Sequence, residues 1–308
     1  MGILKIQPAV RQGARLVIGL AGTSGSGKTY TALQLAEGLA GGDPGKVGLL
    51  DTENGRGGLY ADILTGPFLM AQLDAPFSPA RYAQAIEEFE AAGVEVLVID
   101  SVTHEWEGLG GCTDIAEKHA MRGRANWAKA KREHNAFMSR LLASDMHIIV
   151  CVRAREKVRM EGSGNDMRVI PLGIQPVQEK NFMFEMTASL LMFDEGQSQD
   201  VMKCPAALQS ALGRGKGYIT PADGAAVRAW VEGGSPVDRE AKKYLDRLRG
   251  VTEKGVQYVR DAWGKCPDRV RKALGDDTLE QLIASAQAFE DSDRTSADEI
   301  ASIVGTDE

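Results

Sequence analysis

Short apolar runs bounded by glycine or charge recur along the first half of the chain, at 15–21, 47–51, 94–100 and 147–153. Runs this short, and apolar on both faces, predict strands buried within a mostly parallel sheet. Between them, apolar positions return at helical spacing over 28–39, 79–92 and 126–143. Strand and helix in alternation predict an α/β fold with helices on both faces of the sheet.

The pattern changes after Arg153. The segment 156–178 holds a glycine-rich turn, Gly162, Ser163, Gly164, Asn165 and Asp166, between two arms, and predicts a mobile loop or hairpin. Segments 189–194 and 200–204, split by turn residues, predict two paired strands at the far side of the sheet. A helix over 218–230 runs into Gly233, Gly234, Ser235 and Pro236, which is the best domain boundary in the chain. Beyond it, 238–248, 253–263 and 278–289 predict short amphipathic helices. The last segment, 290–308, has seven acidic residues against one arginine and predicts a flexible tail. The expected organisation is a core over 1–234, a small helical region over 235–289 and an acidic tail over 290–308.

Composition narrows this picture in a few respects. Hydrophobic residues make up 43% and charged residues 26%, the balance of a globular protein rather than a disordered one. A net charge of -7 argues against a chain that coats nucleic acid over its whole surface, so basic faces have to be sought locally. The four cysteines, Cys112, Cys151, Cys204 and Cys266, include no CxxC pair, and the four histidines fall in no metal-ligand spacing. Neither a zinc site nor a disulfide is expected. Met183, Met186 and Met192 suit core or interface packing. The glycine-broken apolar stretch near the N-terminus is too short for a membrane span, so a soluble cytoplasmic protein with no membrane partner is expected.

The chemistry-bearing motif is Gly22-Thr23-Ser24-Gly25-Ser26-Gly27-Lys28-Thr29, followed by Tyr30 at the start of the predicted helix. It fits the GxxxxGK[ST] phosphate-binding loop, between a predicted strand and a predicted helix where that loop must lie. Phosphates need converging backbone N–H donors, which a glycine-rich turn supplies, and the helix N-terminus adds positive potential. Lys28 is expected to neutralise the β and γ phosphates of ATP, and Thr29 to ligate Mg²⁺. Val94 to Asp100 supplies the second acid for Mg²⁺ at a strand end, Asp100. Ser101 follows it, so a base directly after this acid is absent. The strand ending at Asp51 leads into Thr52 and Glu53, and Glu53 is the candidate general base, with a solvated loop glutamate as the plainer alternative.

A P-loop, an acid-bearing DTEN after the second strand, and a strand ending Asp-Ser follow one another in an order that resembles the RecA-like recombinase core. The resemblance continues through VLVIDSV, a basic helix, HIIVCVRA, a glycine-bearing loop and MTASLLMFD, and spans about residues 12–232. It is nearest to phage AAA-type nucleotide-binding proteins and to the RecA-like branch of the Sak single-strand annealing proteins. It implies a RecA-like P-loop NTPase that works in phage recombination or annealing, inside the host cytoplasm, as a ring or filament of like subunits. It also implies that Glu53 activates water and that two loops contact single-stranded DNA. Arg153 stands where the recombinases carry a γ-phosphate-sensing glutamine. Lys180 is either a cationic finger toward a neighbouring subunit's nucleotide or an ordinary surface lysine.

Two basic sets fall near the implied DNA loops. The first spans Lys118 to Arg140 and includes Arg122, Arg124, Lys129 and Lys131, with Trp106 and Trp127 as candidate base-stacking platforms. The second, Arg155, Lys157, Arg159 and Arg168, flanks the glycine turn. Solvated helix faces with Trp127 in the core are the alternative for the first set. The acidic tail is a candidate tether for replication or recombination proteins, or a cover for the basic groove. The leading expectation is a DNA-stimulated ATPase. A P-loop kinase with Arg153, Arg155 and Arg159 as a lid, and a switch with negligible turnover, are the alternatives.

Overall fold

The computed structural model describes residues 14–120, 123–161, 168–233, 236–275, 278–287 and 289–290. Arg122, the Gly162–Asp166 turn and the tail beyond Glu290 lie outside them. The chain divides into two compact units, Gly13–Val231 and a second one built from Glu232 onward.

The first unit is an α/β sandwich about a single sheet. Strands β1 (Val17–Gly22), β2 (Val47–Asp51) and β4 (Val96–Asp100) are buried along their whole length, as both-face apolar runs demand. The sheet order is β3 (Leu69–Gln72), β2, β4, β5 (His147–Glu161), β1, β7 (Ala188–Phe193) and β8 (Ser198–Lys203), with β6 (Arg168–Pro176) paired to β5. All pairings from β3 to β7 are parallel, while β7–β8 and β5–β6 are antiparallel. The P-loop strand β1 is thus separated from β4 by one strand, β5. This is a mostly parallel α/β architecture with the P-loop at the end of a central strand.

Alternate residues of each strand face opposite cores. Ile18 and Leu20 join α1 (Lys28–Leu39) and α8 (Pro221–Val231) in one cluster. Val17 and Ala21 join Tyr82 and Ile86 of α2 (Pro79–Ala91) and Phe137 of α5 (Trp127–Leu142) in the other. Helix α1 is buried over nine of its 12 residues because it lies between the sheet and α8. Gly38 and Gly224 let those two helices touch at backbone distance: a Cβ on Gly38 would sit 1.9 Å from Pro221 O, and one on Gly224 2.3 Å from Leu35 O.

Several elements depart from the sequence expectation. Strand β5 does not stop at Arg153 but continues to Glu161, pairing with β6 as a two-stranded hairpin beyond the sheet. The segment expected as a mobile loop or hairpin therefore has two ordered arms, because charged and apolar residues alternate there with the strand period. Edge strand β3 and the helices α3 (Thr103–Glu107) and α4 (Cys112–Lys118) had too few turns or too exposed a pattern to be read. Between α5 and β8 lies also the short helix α6 (Phe182–Glu185), with Met183, Met186 and Met192 buried beside it or in β7. After β8, α7 (Gln209–Leu212) precedes α8.

The second unit contains α9 (Pro236–Arg249), α10 (Val256–Gly264), α11 (Asp268–Leu274) and a further helix from 278. They close around Ala241, Leu248, Val259, Trp263, Val270, Leu282 and Ala286. Glu290 accepts a hydrogen bond from Val256 N at 2.9 Å, capping the start of α10. No helix among the described residues is long and apolar enough to cross a membrane. All four cysteines are free thiols.

Candidate functional site

At the carboxyl ends of β1, β2, β4 and β5 the P-loop, the DTEN turn and the start of α3 surround a cleft of about 760 Å³. Its lining includes Ser24, Gly25, Lys28, Thr29, Asp51, Glu53, Asp100, His104 and Arg153. Ligand sites sit at this edge of parallel sheets, where loops leave the strand ends.

The loop geometry follows from its glycines. Gly27 has φ +83, and a Cβ there would meet Glu195 O at 2.4 Å, so only glycine fits between the loop and the Asp194–Gly196 turn behind it. Lys28 Nζ donates to Thr23 O at 2.8 Å, folded back over its own loop. Ser26 is buried, and its hydroxyl has no hydrogen-bond partner. Tyr30, at the start of α1, is 42% exposed, and its side chain is not part of the cleft lining.

Thr29 Oγ1 donates to Asp100 Oδ2, which joins the P-loop to the end of β4. Burial raises the Asp100 carboxyl above its usual range, and the charges of Glu53 and Asp51 add to this against Thr29 and Lys28. The Asp100 carboxylate beside the Thr29 hydroxyl is a pair of oxygen donors of the kind a hard divalent cation takes. Thr29 and Asp100 are placed to hold Mg²⁺, which would supply charge neutralisation for a bound triphosphate.

Asp51 does not face the cleft as a free acid. Its carboxylate accepts from Glu53 N at 2.6 Å and Gly57 N at 2.8 Å and shapes the DTEN turn. Thr52 Oγ1 donates to Ser101 O at 3.0 Å, accepts from Ser101 N at 2.8 Å, and meets His104 Nδ1 at 2.9 Å. The turn is thereby tied to the segment after β4, and Glu53 is held at the cleft wall, 17% exposed at its side chain. Glu53 forms a two-pronged ion pair with Arg153, through Nε at 2.8 Å and through Nη2. Burial alone would raise the Glu53 carboxyl; the Arg153 hydrogen bond and charge, with His104, outweigh it and hold the pKa below the ordinary glutamate value. The residue expected to sense a γ-phosphate thus rests on the candidate base instead.

His104 and Glu107 were missed from the sequence. The signal that could have found them is the run of polar residues Thr103, His104, Glu105 and Glu107 shortly after Asp100. Thr103 Oγ1 accepts from Arg153 N at 2.8 Å, His104 stacks on Phe77, and Glu107 pairs with both Arg155 nitrogens at 2.8 and 3.2 Å. Burial lowers the His104 pKa, and Arg153 adds to this. Arg153 and Arg155 are therefore engaged with glutamates rather than poised as a kinase lid.

Glu105, on the opposite side of α3, is fully buried. Its carboxylate accepts from His134 Nδ1 at 3.0 Å, Cys112 Sγ at 3.2 Å and Gln178 Nε2 at 3.2 Å. The spacing of these residues gave no hint of the cluster, which has the ligand types of a metal site. Its chemistry is that of a hydrogen-bonded hub: all three neighbours donate to one carboxylate, and burial with the nearby Glu105 charge keeps the Cys112 thiol protonated. Next to it, Trp106 and Trp127 stack on each other with centroids 5.5 Å apart and pack on the Cys112 cluster. One face of each indole is thereby covered by the other, and both side chains are partly buried.

The expected DNA residues are distributed unevenly. In the β5/β6 hairpin, strand alternation puts Arg155, Lys157, Arg159 and, across the ladder, Arg168 on one face, and Val158, Met160 and Val169 on the other. All seven are exposed. Arg159 lies 3.6 Å from Glu161. Arg124, Lys129 and Lys131 are exposed at the α5 end, with Lys129 3.8 Å from Glu133, whereas Arg140 turns to Glu87 and Glu90 and leaves that set. Lys180 is exposed and lines a second cleft, of about 480 Å³, with Trp106, Lys131 and His134.

Fold and site define a P-loop nucleotide-binding ATPase domain, of a kind that generally uses ATP and Mg²⁺. Residues 14–186 match the family described as AAA domain, and the chain belongs to that family. No curated protein matches the chain. Among solved structures it is similar to a KaiC-like protein, PH0186, of the hyperthermophilic archaeon Pyrococcus horikoshii OT3. Identity is 17% and the TM-score 0.34, with 58% of this chain and 71% of that one covered.

Proposed function

We propose that the protein is an ATPase stimulated by single-stranded DNA, working as a homo-oligomer in phage recombination, repair or single-strand annealing. The observation that supports it most is the continuity of β5, which runs from the wall of the ATP cleft at Arg153 straight into the basic face of the β5/β6 hairpin. A nucleotide-bearing cleft and a phosphate-binding surface on one strand are what coupling of ATP to DNA requires.

In this reading Lys28 and the P-loop amides hold the β and γ phosphates, while Thr29 and Asp100 hold Mg²⁺. Water attacks the γ-phosphorus, its proton passes to the Glu53 carboxylate, and the bond to the β–γ bridging oxygen breaks to release ADP and phosphate. Arg155, Lys157, Arg159 and Arg168 track the strand's phosphates, with Arg124, Lys129 and Lys131 as a second contact set; Arg122 belongs to that set by sequence. Lys180 is then available to a neighbouring subunit.

The test is phosphate release by the full chain with and without a deoxythymidine oligomer, over a salt series, alongside fluorescence anisotropy of the labelled oligomer. Single-stranded DNA should raise turnover, and its affinity should fall steeply with salt. Lys28→Ala should abolish turnover, and Glu53→Gln should reduce it by about a hundredfold or more, the scale of a lost general base. Failure of any oligomer to bind at low salt would sink the DNA reading, and phosphorylation of a nucleoside or monophosphate in place of free phosphate would favour a kinase.

A further inference from the structure

Arg153 stands at the junction of the sheet and the hairpin. Within the sheet it is the last residue of β5 in register with β1, opposite Gly22. Its N–H donates to Thr103 Oγ1 of α3, and its carbonyl accepts from Val177 N at 2.8 Å as the chain returns from β6. The backbone is thus fixed on both sides at the root of the hairpin, while the side chain, 49% exposed, reaches Glu53.

A guanidinium fork placed on a carboxylate takes both of its oxygens at once. A glutamate so held has one lone pair of each oxygen taken and its orientation fixed by the fork, and its basicity is reduced as well. Two residues along the same strand face, Arg155 grips Glu107 of α3, whose side chain is 37% exposed. Both arginines therefore rest on protein carboxylates that an incoming polyanion can replace.

We propose that the Arg153–Glu53 pair is a resting lock on hydrolysis, released when single-stranded DNA occupies the basic face of the β5/β6 hairpin. The proposal rests on the reading of Glu53 as the base and of the hairpin as the DNA surface. Strand phosphates compete with Glu107 for Arg155, and the same field draws the half-exposed Arg153 side chain off Glu53, freeing the carboxylate toward the cleft. Arg153 is in this sense a positioning residue: it acts on the reaction through Glu53. The groups left facing Glu53 are Ser101 after β4, His104 on α3, Asp51 on β2, Asp100 on β4 and Lys28 on α1, none of which forms a fork on its carboxylate.

The experiment measures Mg-ATP turnover of the full chain, with and without a deoxythymidine oligomer, for the unmodified protein, Arg153→Gln and Arg153→Lys, with oligomer binding followed by anisotropy. A partly exposed pair is weak, so Arg153→Gln should raise DNA-free turnover by about three- to tenfold. Its stimulation ratio should fall toward one while oligomer affinity is kept. Arg153→Lys, which carries the charge without the fork, should fall between. Adding Glu53→Gln to Arg153→Gln should remove the gain. A purely structural role would lower DNA-free turnover, so turnover equal to or below that of the unmodified protein in both variants overturns the lock, even where DNA still stimulates. An oligomer that binds the unmodified chain without raising turnover overturns it too. An oligomer that does not bind at all overturns both the lock and the DNA reading.

Discussion

Replacing Glu105 by alanine probes the part of the site that lies behind the cleft rather than in it. The side chain is fully buried and accepts one hydrogen bond each from His134, Cys112 and Gln178. Its removal leaves those donors buried without an acceptor, and an unpaired buried polar group costs about 1–3 kcal/mol. Cys112 has a second, weaker acceptor in Ala130 O at 3.8 Å, and Gln178 still reaches Val102 O at 3.1 Å, so the loss falls chiefly on His134. With the cavity that opens, the total should be about 3–5 kcal/mol. For a unit of this size each kcal/mol moves Tm by about 2–4 °C, so a fall of roughly 6–20 °C is expected. Glu105→Gln keeps the volume and one acceptor oxygen but turns an NH₂ toward a donor, so about a third of that loss is expected. Thermal unfolding followed by near-ultraviolet circular dichroism reads it out, because the stacked Trp106 and Trp127 adjoin the hub. ATP turnover should also fall, since α3 carries His104 and Thr103 into the site. A Tm change under about 2 °C for Glu105→Ala would refute the hub as a source of stability.

Three further outcomes are expected. Gly27→Ala forces a Cβ onto Glu195 O at a left-handed φ and should abolish binding of a fluorescent ATP analogue while the second unit stays folded; retained binding would mean that the loop can move off that turn. His147 accepts from Leu16 N at 3.2 Å, and burial, helped by Arg15 and Arg228, lowers its pKa from 6.5 to about 4. The unfolded chain therefore binds a proton that the folded one refuses. This stability is complete above about pH 6.5 and is lost as pH falls toward 4, by about 3 kcal/mol in all, a slope that urea titrations should show and His147→Gln should flatten. Chelation of divalent metals in the absence of nucleotide should leave Tm unchanged, because the Glu105 oxygens are already occupied by donors; a marked fall would make Glu105, Cys112 and His134 a metal site.

What the sequence determined by itself is local. The phosphate loop is contiguous, its glycines acting through backbone geometry and its lysine through its ammonium within eight residues, and both-face apolar runs mark the central strands β1, β2 and β4. Asp100 was legible for the same reason, as a polar end to an apolar run. Pairings made across the sheet were not legible. Glu53 and Arg153 are 100 residues apart, and Glu105 meets partners 7, 29 and 73 positions away. Only the strand order, with β5 inserted between β1 and β4, sets those side chains side by side. Periodicity reports which face of an element is buried but not what it is buried against. The tertiary structure therefore decided that the arginine where β5 leaves the sheet holds the glutamate at the cleft, and that a five-residue helix links cleft, hub and hairpin.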